Sequence, residues 1–368
     1  MRGFLPVLKK ETVQMVRDRG TLRFALLIPA FQLVLFGLID TNVRHVRTVV
    51  FDQSRTAESR ELLTDFVNTS YFDIVAYAPS RAALSELIVA GKASVGLEIP
   101  PDYARRRINH EPADVLVLID GSDSSISAQA LAAANGLTLS RSVSELAQRA
   151  GAKDLAIRTH PVLLFNPDSR SANLLIPGLV AILLTFSGTL LAAFAIVRER
   201  ERGTLEQLMV TPASPVAVVL GKLLPYLVLA FLQLLFILLL MTAVFRVPIH
   251  GDLFLLLALS VVYLFALLAL GLLVSSWART QMEAIQIAQM FLLPSIMLSG
   301  YIFPLSSLPG PLRVFAQVLP ATHFIAIARG IIIRGAGFVD LWPSVAALLV
   351  IALLLLAGST RAFHKTIR

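Results

Sequence analysis

RERERGTLEQLMVTP, residues 198–212, separates two of the longest apolar runs in the chain. It is too polar to rest in hydrocarbon and too short to be a domain. It therefore reads as a short aqueous segment between adjacent membrane spans, preceded by Leu174 to Val197 and followed by Val216 to Phe245. About 20 mostly apolar residues cross a bilayer as helix. By that measure the remaining candidates are Leu22 to Ile39, Leu253 to Trp277, Ala284 to Phe303 and Leu341 to Ala357. The first contains Pro29 and Gln32 and has no small-residue cleavage pattern before Asp40, so it reads as an uncleaved anchor. The whole chain agrees with a polytopic class: 56% of its residues are hydrophobic, 15% are charged, and mean hydropathy is +0.75.

Charge orients the spans. Outside residues 41–172, Lys and Arg fall at Arg2, Lys9, Lys10, Arg17, Arg19, Arg23, Arg198, Arg200, Arg202, Lys222, Arg279, Arg361, Lys365 and Arg368. If six spans alternate, all of these share one side, against Arg246, Arg313, Arg329 and Arg334 on the other. Cytoplasmic loops carry that excess. Both termini and the 198–212 stretch are therefore expected to face the cytoplasm. Residues 41–172 hold 14 basic and 15 acidic side chains, so the net charge of +8 is a topology signal and gives no reason to expect a nucleic-acid partner. The chain has no cysteine, which excludes disulfides and thiolate metal sites.

Residues 41–172 are long enough to form a domain. Strand-like runs at 46–51, 72–77, 93–99, 114–120 and 157–165 alternate with helical patterns at 58–67, 81–90, 101–109 and 127–149. That alternation predicts a small extracytoplasmic α/β domain. Within it, the Asp120 to Ser125 cluster reads as a strand-end turn leading to a helix cap. Arg105, Arg106 and Arg107 read as a solvated helix face.

In the opening stretch the second span's helix can run on through Arg198 to Arg202, and Gly203 suits its end. Thr204 with Gln207 makes a capping-box pattern. A stub of helix should follow, with Leu205, Leu208 and Met209 on one face, stopped by Pro212, after which Ser214 and Pro215 start the third span. Such a piece, joined to two membrane helices by defined breaks, could act as a lever.

These residues resemble the signature of permease subunits of type 2 ATP-binding-cassette exporters, specifically the subgroup with a large periplasmic domain. The matching positions are Arg198, Glu199, Arg200, Glu201, Arg202, Gly203, Thr204, Leu205, Glu206, Gln207, Leu208, Thr211 and Pro212. Gly221-Lys222-Leu223 with Pro225, Leu298-Ser299-Gly300-Tyr301 with Pro304, Leu319-Pro320, His323-Phe324 and Phe165-Asn166-Pro167 extend the likeness over nearly the whole chain. The resemblance implies that 198–212 is a coupling helix docked on a cytoplasmic ATPase. It also implies that the N-terminal residues form an interfacial helix nearby, and that 304–340 holds re-entrant outer helices. The run Phe324 to Ile333, broken by Arg329 and Gly330, is itself too short to span.

The chain lacks a phosphate-binding loop of its own. Gly221-Lys222 is followed by Leu223, and Val216 stands where the first glycine would be needed. It is thus expected to be no enzyme and to bind no cofactor or metal, with ATP and Mg held by a partner ATPase. Rival classes are weaker. A proton- or ion-coupled secondary transporter normally places ionisable groups inside the membrane, whereas here the interior polar groups are mostly neutral. A ligand sensor would need an output domain beyond residues 358–368. An enzyme would need clustered nucleophiles or carboxylates.

The expectation is a six-helix polytopic membrane protein with an inserted extracytoplasmic α/β domain. Its parts are an interfacial helix at 1–21, a first span at 22–40, the outer domain at 41–172, and the remaining spans at 173–368. Gln233, Glu283, Gln286 and Gln289 are candidates for a translocation path or a seam with a second permease subunit. A periplasmic adaptor and membrane lipids are further possible partners.

Overall fold

The computed structural model describes residues 4–39, 45–109, 111–122, 124–149, 165–167, 170–203 and 215–365. The stub helix expected at 204–210 and most of the strand expected at 157–165 lie outside them. The chain divides into two compact units, one of Met1–Asp40 with Leu163–Arg368 and one of Thr41–Val162.

At the N-terminus, α1 (Phe4–Arg17) and α2 (Arg19–Gly37) meet at Asp18, which caps α2 by accepting from the Thr21 amide. The second unit follows as β1 (Val46–Asp52), α3 (Ala57–Asn68), β2 (Phe72–Tyr77), α4 (Arg81–Val89), β3 (Val95–Ile99), α5 (Tyr103–Ile108), β4 (Leu116–Ile119) and α6 (Ser124–Arg149). Its sheet has the order β2-β1-β3-β4, with β1 parallel to both neighbours and β4 antiparallel at the edge. Strand β3 is buried along most of its length because helices cover both faces. On one face Leu62 and Phe66 of α3, Tyr103 of α5 and Ala130 of α6 join Phe72, Val95 and Leu97. On the other, Leu84 of α4 packs close to Gly96, where a Cβ would come within 2.5 Å of the leucine Cδ2. The Asp120 cluster is a turn, with the Ser122 amide donating to Asp120 Oδ1 before α6 begins. Arg106 of the triple-arginine run pairs with Asp102 one turn earlier.

The first unit is helical: α7 (Ser171–Glu201), α8 (Pro215–Ala243), α9 (Leu253–Trp277), α10 (Gln281–Leu298), α11 (Gly310–Val318), α12 (Pro320–Arg334) and α13 (Phe338–Lys365). Helix α7 is its axis, packed against α2, α8, α9, α10 and α12 and almost wholly buried. Close approach of α7 and α9 needs Gly271, whose Cβ would sit against the Thr189 carbonyl. Tyr263 then bonds to the Ala181 carbonyl at 2.9 Å and stacks on Phe324 with ring centroids 4.1 Å apart. By contrast α2 and α13 expose Leu27, Phe31, Leu35, Leu353 and Leu354, apolar side chains at helical spacing suited to lipid contact.

Among the described residues, five helices are long and apolar enough to cross a membrane, or six if α11 and α12 count as one bent span; the five are α2, α7, α8, α9 and α13. The helix over the run expected at Ala284 to Phe303 has other bounds. Helix α10 starts earlier, capped by Thr280, and stops at Leu298, where Gly300 takes φ +84°. Helices α11 and α12 meet at 81°, and Thr322 and His323 tie the corner by bonding back to the Ala316 and Gln317 carbonyls.

Candidate functional site

The last turn of α7 places four consecutive charges, Arg198 to Glu201, at a helix end. Successive helical residues project about 100° apart, so each charge reaches a different neighbour. Arg198 turns to the α1–α2 joint: its Nη1 lies 2.5 Å from Asp18 Oδ2 and its Nη2 donates to Thr21 Oγ1 at 3.0 Å. Glu199 turns between α1 and α8. It accepts from Lys10 Nζ at 2.6 Å and lies 3.4 Å from Lys222 Nζ, which itself donates to Glu11 at 2.7 Å. Glu11, Lys222 and Glu199 are only 1%, 2% and 5% exposed. Two carboxylates and two ammonium groups thus form a quartet of no net formal charge, buried except at Lys10, whose side chain is 46% exposed. Helix α1 reaches it because Gly221 of α8 has no side chain, and a Cβ there would touch Val7.

Arg200 turns to α9 and donates to the Ser275 carbonyl at 2.8 Å and to that of Ala278, capping the negative end of that helix. Glu201 turns to α10 and accepts from the Gln281 amide at 2.6 Å and from its side chain, at the positive end of that helix. Helix α10 is also capped from within, as Glu283 accepts from the Arg279 amide and Thr280 from the Glu283 amide. One turn of α7 therefore clasps α1, α2, α8, α9 and α10 together. Beyond it Arg202 is exposed and Gly203 takes φ +67°, redirecting the chain toward residue 204.

Ionisation supports the clasp. Partial burial disfavours the Asp18 carboxylate, but hydrogen bonds from the Thr21 side chain and amide and the Arg198 charge outweigh it, so its pKa lies below the ordinary value. Partial burial likewise opposes the Lys10 charge, and the bond and charge of Glu199 together with Glu11 overcome it, so its pKa is raised.

Of the sequence-derived candidates, Arg198, Glu199, Arg200 and Glu201 are thus engaged inside the bundle end. Residues Thr204, Leu205, Glu206, Gln207 and Leu208 lie outside the described residues. Glu283 caps α10, while Gln286 and Gln289 are exposed on that helix. Gln233 is fully buried, its Nε2 donating to Ser187 Oγ at 2.6 Å between α8 and α7, and does not share the α10 surface. Sequence reading missed Lys10, Glu11, Asp18, Lys222 and Gln281 as partners of the charged run. The one available signal was Lys222, an ammonium placed inside an otherwise apolar helix. No group of His, Cys, Asp or Glu that could hold a metal occurs among the described residues.

Residues 19–361 match the family model of the ABC-2 family transporter protein. The chain belongs to the ABC-2 transporter family. It is 31% identical over 336 residues to the probable multidrug ABC transporter permease YbhS of Escherichia coli K12, covering 89% of this chain and 87% of that one. It is 28% identical over 351 residues to the probable multidrug ABC transporter permease YbhR of the same organism, with 94% of each covered. ABC transporter G family member 20 of Dictyostelium discoideum is 26% identical over 94% of this chain, which corresponds to 48% of that protein. This ABC-2 chain is therefore a multi-pass permease of the ABC transporter type, a transport subunit without an ATPase site of its own.

Proposed function

We propose that this permease moves its cargo outward across a bacterial inner membrane, driven by a cytoplasmic ATPase that docks on residues 198–212, with both termini cytoplasmic and the α/β unit outside. The observation that carries this reading is the clasp. Whatever displaces the segment beyond Gly203 pulls on a helix end joined to five others, so a local push becomes a rigid-body movement of the bundle. The energy enters as differential binding of two ATPase states to that segment. Drug-like molecules are the favoured cargo, in line with the names of the bacterial relatives; lipid- or polysaccharide-type cargo is the alternative within the same reading.

Two permease subunits, identical or paralogous, pair to enclose the pathway. The uncovered face of α10 supports this: Met282, Gln286, Gln289, Met290, Leu293 and Met297 follow helical spacing and are exposed in the single chain. Amide side chains on such a face suit an inter-subunit seam or a polar route better than lipid. A periplasmic adaptor contacting the α/β unit would complete the path.

The deciding test is coupling in vesicles that contain the permease and its ATPase. Gly203→Pro, which cannot adopt φ +67°, and Glu206→Arg should keep membrane insertion and ATP hydrolysis while transport falls by about tenfold or more, the equivalent of roughly 1.4 kcal/mol in coupling free energy. Undiminished transport in both variants would sink the lever. Because the chain has no cysteine, Gln289→Cys gives a clean seam test. Oxidation should yield a covalent dimer where the two subunits are identical, and a product that stays monomeric removes α10 from the seam of such a pair.

A further inference from the structure

Beside the corner between α11 and α12 lies a cavity of about 370 Å³, lined by Ser299, Leu305, Thr322, Arg329, Ile333 and Arg334 among others. Two Arg329 nitrogens donate to the Gly300 and Tyr301 carbonyls, at 2.7 and 3.1 Å, which fixes the guanidinium in place. Its Nε–H is buried with no hydrogen-bond partner, and so is the hydroxyl of Ser299, a residue 1% exposed. Among the described residues, no carboxylate lies within ion-pair distance of Arg329 or Arg334. Buried polar groups are normally paired, and a buried cation without an anion is costly. The site thus carries two positive charges on its wall, and two of its lining residues each hold a buried hydrogen-bonding atom that is unused, with apolar neighbours at Leu305, Ile325 and Ile333.

Its depth follows from α7. A Cβ on Gly178 would lie 3.2 Å from Arg329 Nη2, so the cavity is level with that residue. Gly178 and Arg198 are separated by roughly 30 Å of helix, about the thickness of the hydrocarbon layer. The cavity therefore lies near the headgroup level of the leaflet opposite the charged clasp.

We infer that this cavity is a binding site for the anionic headgroup of a membrane lipid. The phosphate would accept from Arg329 Nε, Ser299 Oγ and the Arg334 guanidinium, and the acyl chains would lie along Leu305 and Ile333. A free phosphate shares the polar chemistry but makes no use of the apolar wall.

The test places a reporter at the wall, Ile333→Trp, with Trp277→Phe and Trp342→Phe to remove other indoles. The full-length permease is reconstituted in phosphatidylcholine nanodiscs containing equal fractions of brominated phosphatidylglycerol or of brominated phosphatidylcholine. Occupancy predicts stronger quenching by the phosphatidylglycerol. Arg334→Gln, at an exposed position that folding tolerates, should lower that preference by roughly fivefold, the enrichment one basic side chain gives near an anionic surface. Arg329→Gln should abolish it and Arg329→Lys should keep part of it. Equal quenching by the two lipids, or a preference that survives both Gln variants, overturns the proposal. Inorganic phosphate is the second arm. Thermal protection in detergent by phosphate, without a phosphatidylglycerol preference in nanodiscs, would assign the site to a free anion and also overturn it.

Discussion

The two ends of α7 treat buried charge in opposite ways. At the Arg198 to Glu201 end each charge meets a partner of opposite sign or the matching end of a helix, and the Lys10, Glu11, Glu199 and Lys222 quartet sums to zero. Near Gly178 the Arg329 cation has only carbonyl dipoles and keeps an unpartnered Nε. A fully compensated cluster gains nothing from a further ligand and is suited to holding helices in register. An uncompensated one is stabilised by whatever brings negative charge. The difference separates a mechanical joint from a binding site within one helix bundle.

That comparison can be broken most directly at Glu199. Glu199→Ala leaves Lys222 buried beside a single carboxylate and should cost about 3–5 kcal/mol, seen as a large fall in thermal stability of the detergent-solubilised protein. Unchanged stability would mean the quartet is hydrated and is no joint. The opposite end should respond less. Arg329→Met removes an uncompensated cation, which offsets part of what is lost with its bonds to the Gly300 and Tyr301 carbonyls, so in lipid-free detergent the cost should stay under about 3 kcal/mol. A fall as deep as that of Glu199→Ala would erase the distinction.

Smaller effects sharpen the picture. Replacing both Glu11 and Lys222, by Leu and Met, keeps the Lys10–Glu199 pair and should cost under about 1.5 kcal/mol, because the charges leave together. Asp18→Asn preserves a capping side chain but loses the Arg198 pair, and about 1 kcal/mol is expected for this partly exposed bridge. The pKa of Asp18 is lowered in the folded protein, so its contribution is fully present above its ordinary value of 3.8 and is lost as pH falls below that. Lys10 is raised above its ordinary 10.5, so its contribution is complete below that value and is lost only as pH rises beyond it. The stability gap between wild type and Asp18→Asn should thus be constant from about pH 5 to 9. A gap that closes within this window would contradict the bridge.

Much of the architecture was legible because membrane insertion depends on the local composition of about 20 residues at a time. The spans around α2, α7, α8, α9 and α13 could be found from hydropathy alone. Alternating strand and helix patterns were equally readable in residues 46–119, since periods of two and 3.6 are local properties. Strand order was not, because adding the antiparallel β4 beside β3 depends on contacts distant in sequence. The end of α10 also escaped: the apolar run continues to Phe303, while the helix stops where Gly300 turns left-handed and Arg329 takes up the Gly300 and Tyr301 carbonyls.

The charged run shows the same division at single residues. Sequence alone determined that Arg198 to Glu201 alternate in sign, that a helix carries them out of an apolar span, and that Gly203 suits its end. The family signature could be read from the same letters. Only the tertiary structure decided that these charges turn inward to Asp18, Lys10, Lys222 and the ends of α9 and α10. It alone left Arg329 beside a cavity with an unused donor. The physical reason is that helix formation and lipid partitioning are settled by neighbours in sequence. The pairing of charges is settled by neighbours in space, as far as 211 residues apart for Glu11 and Lys222.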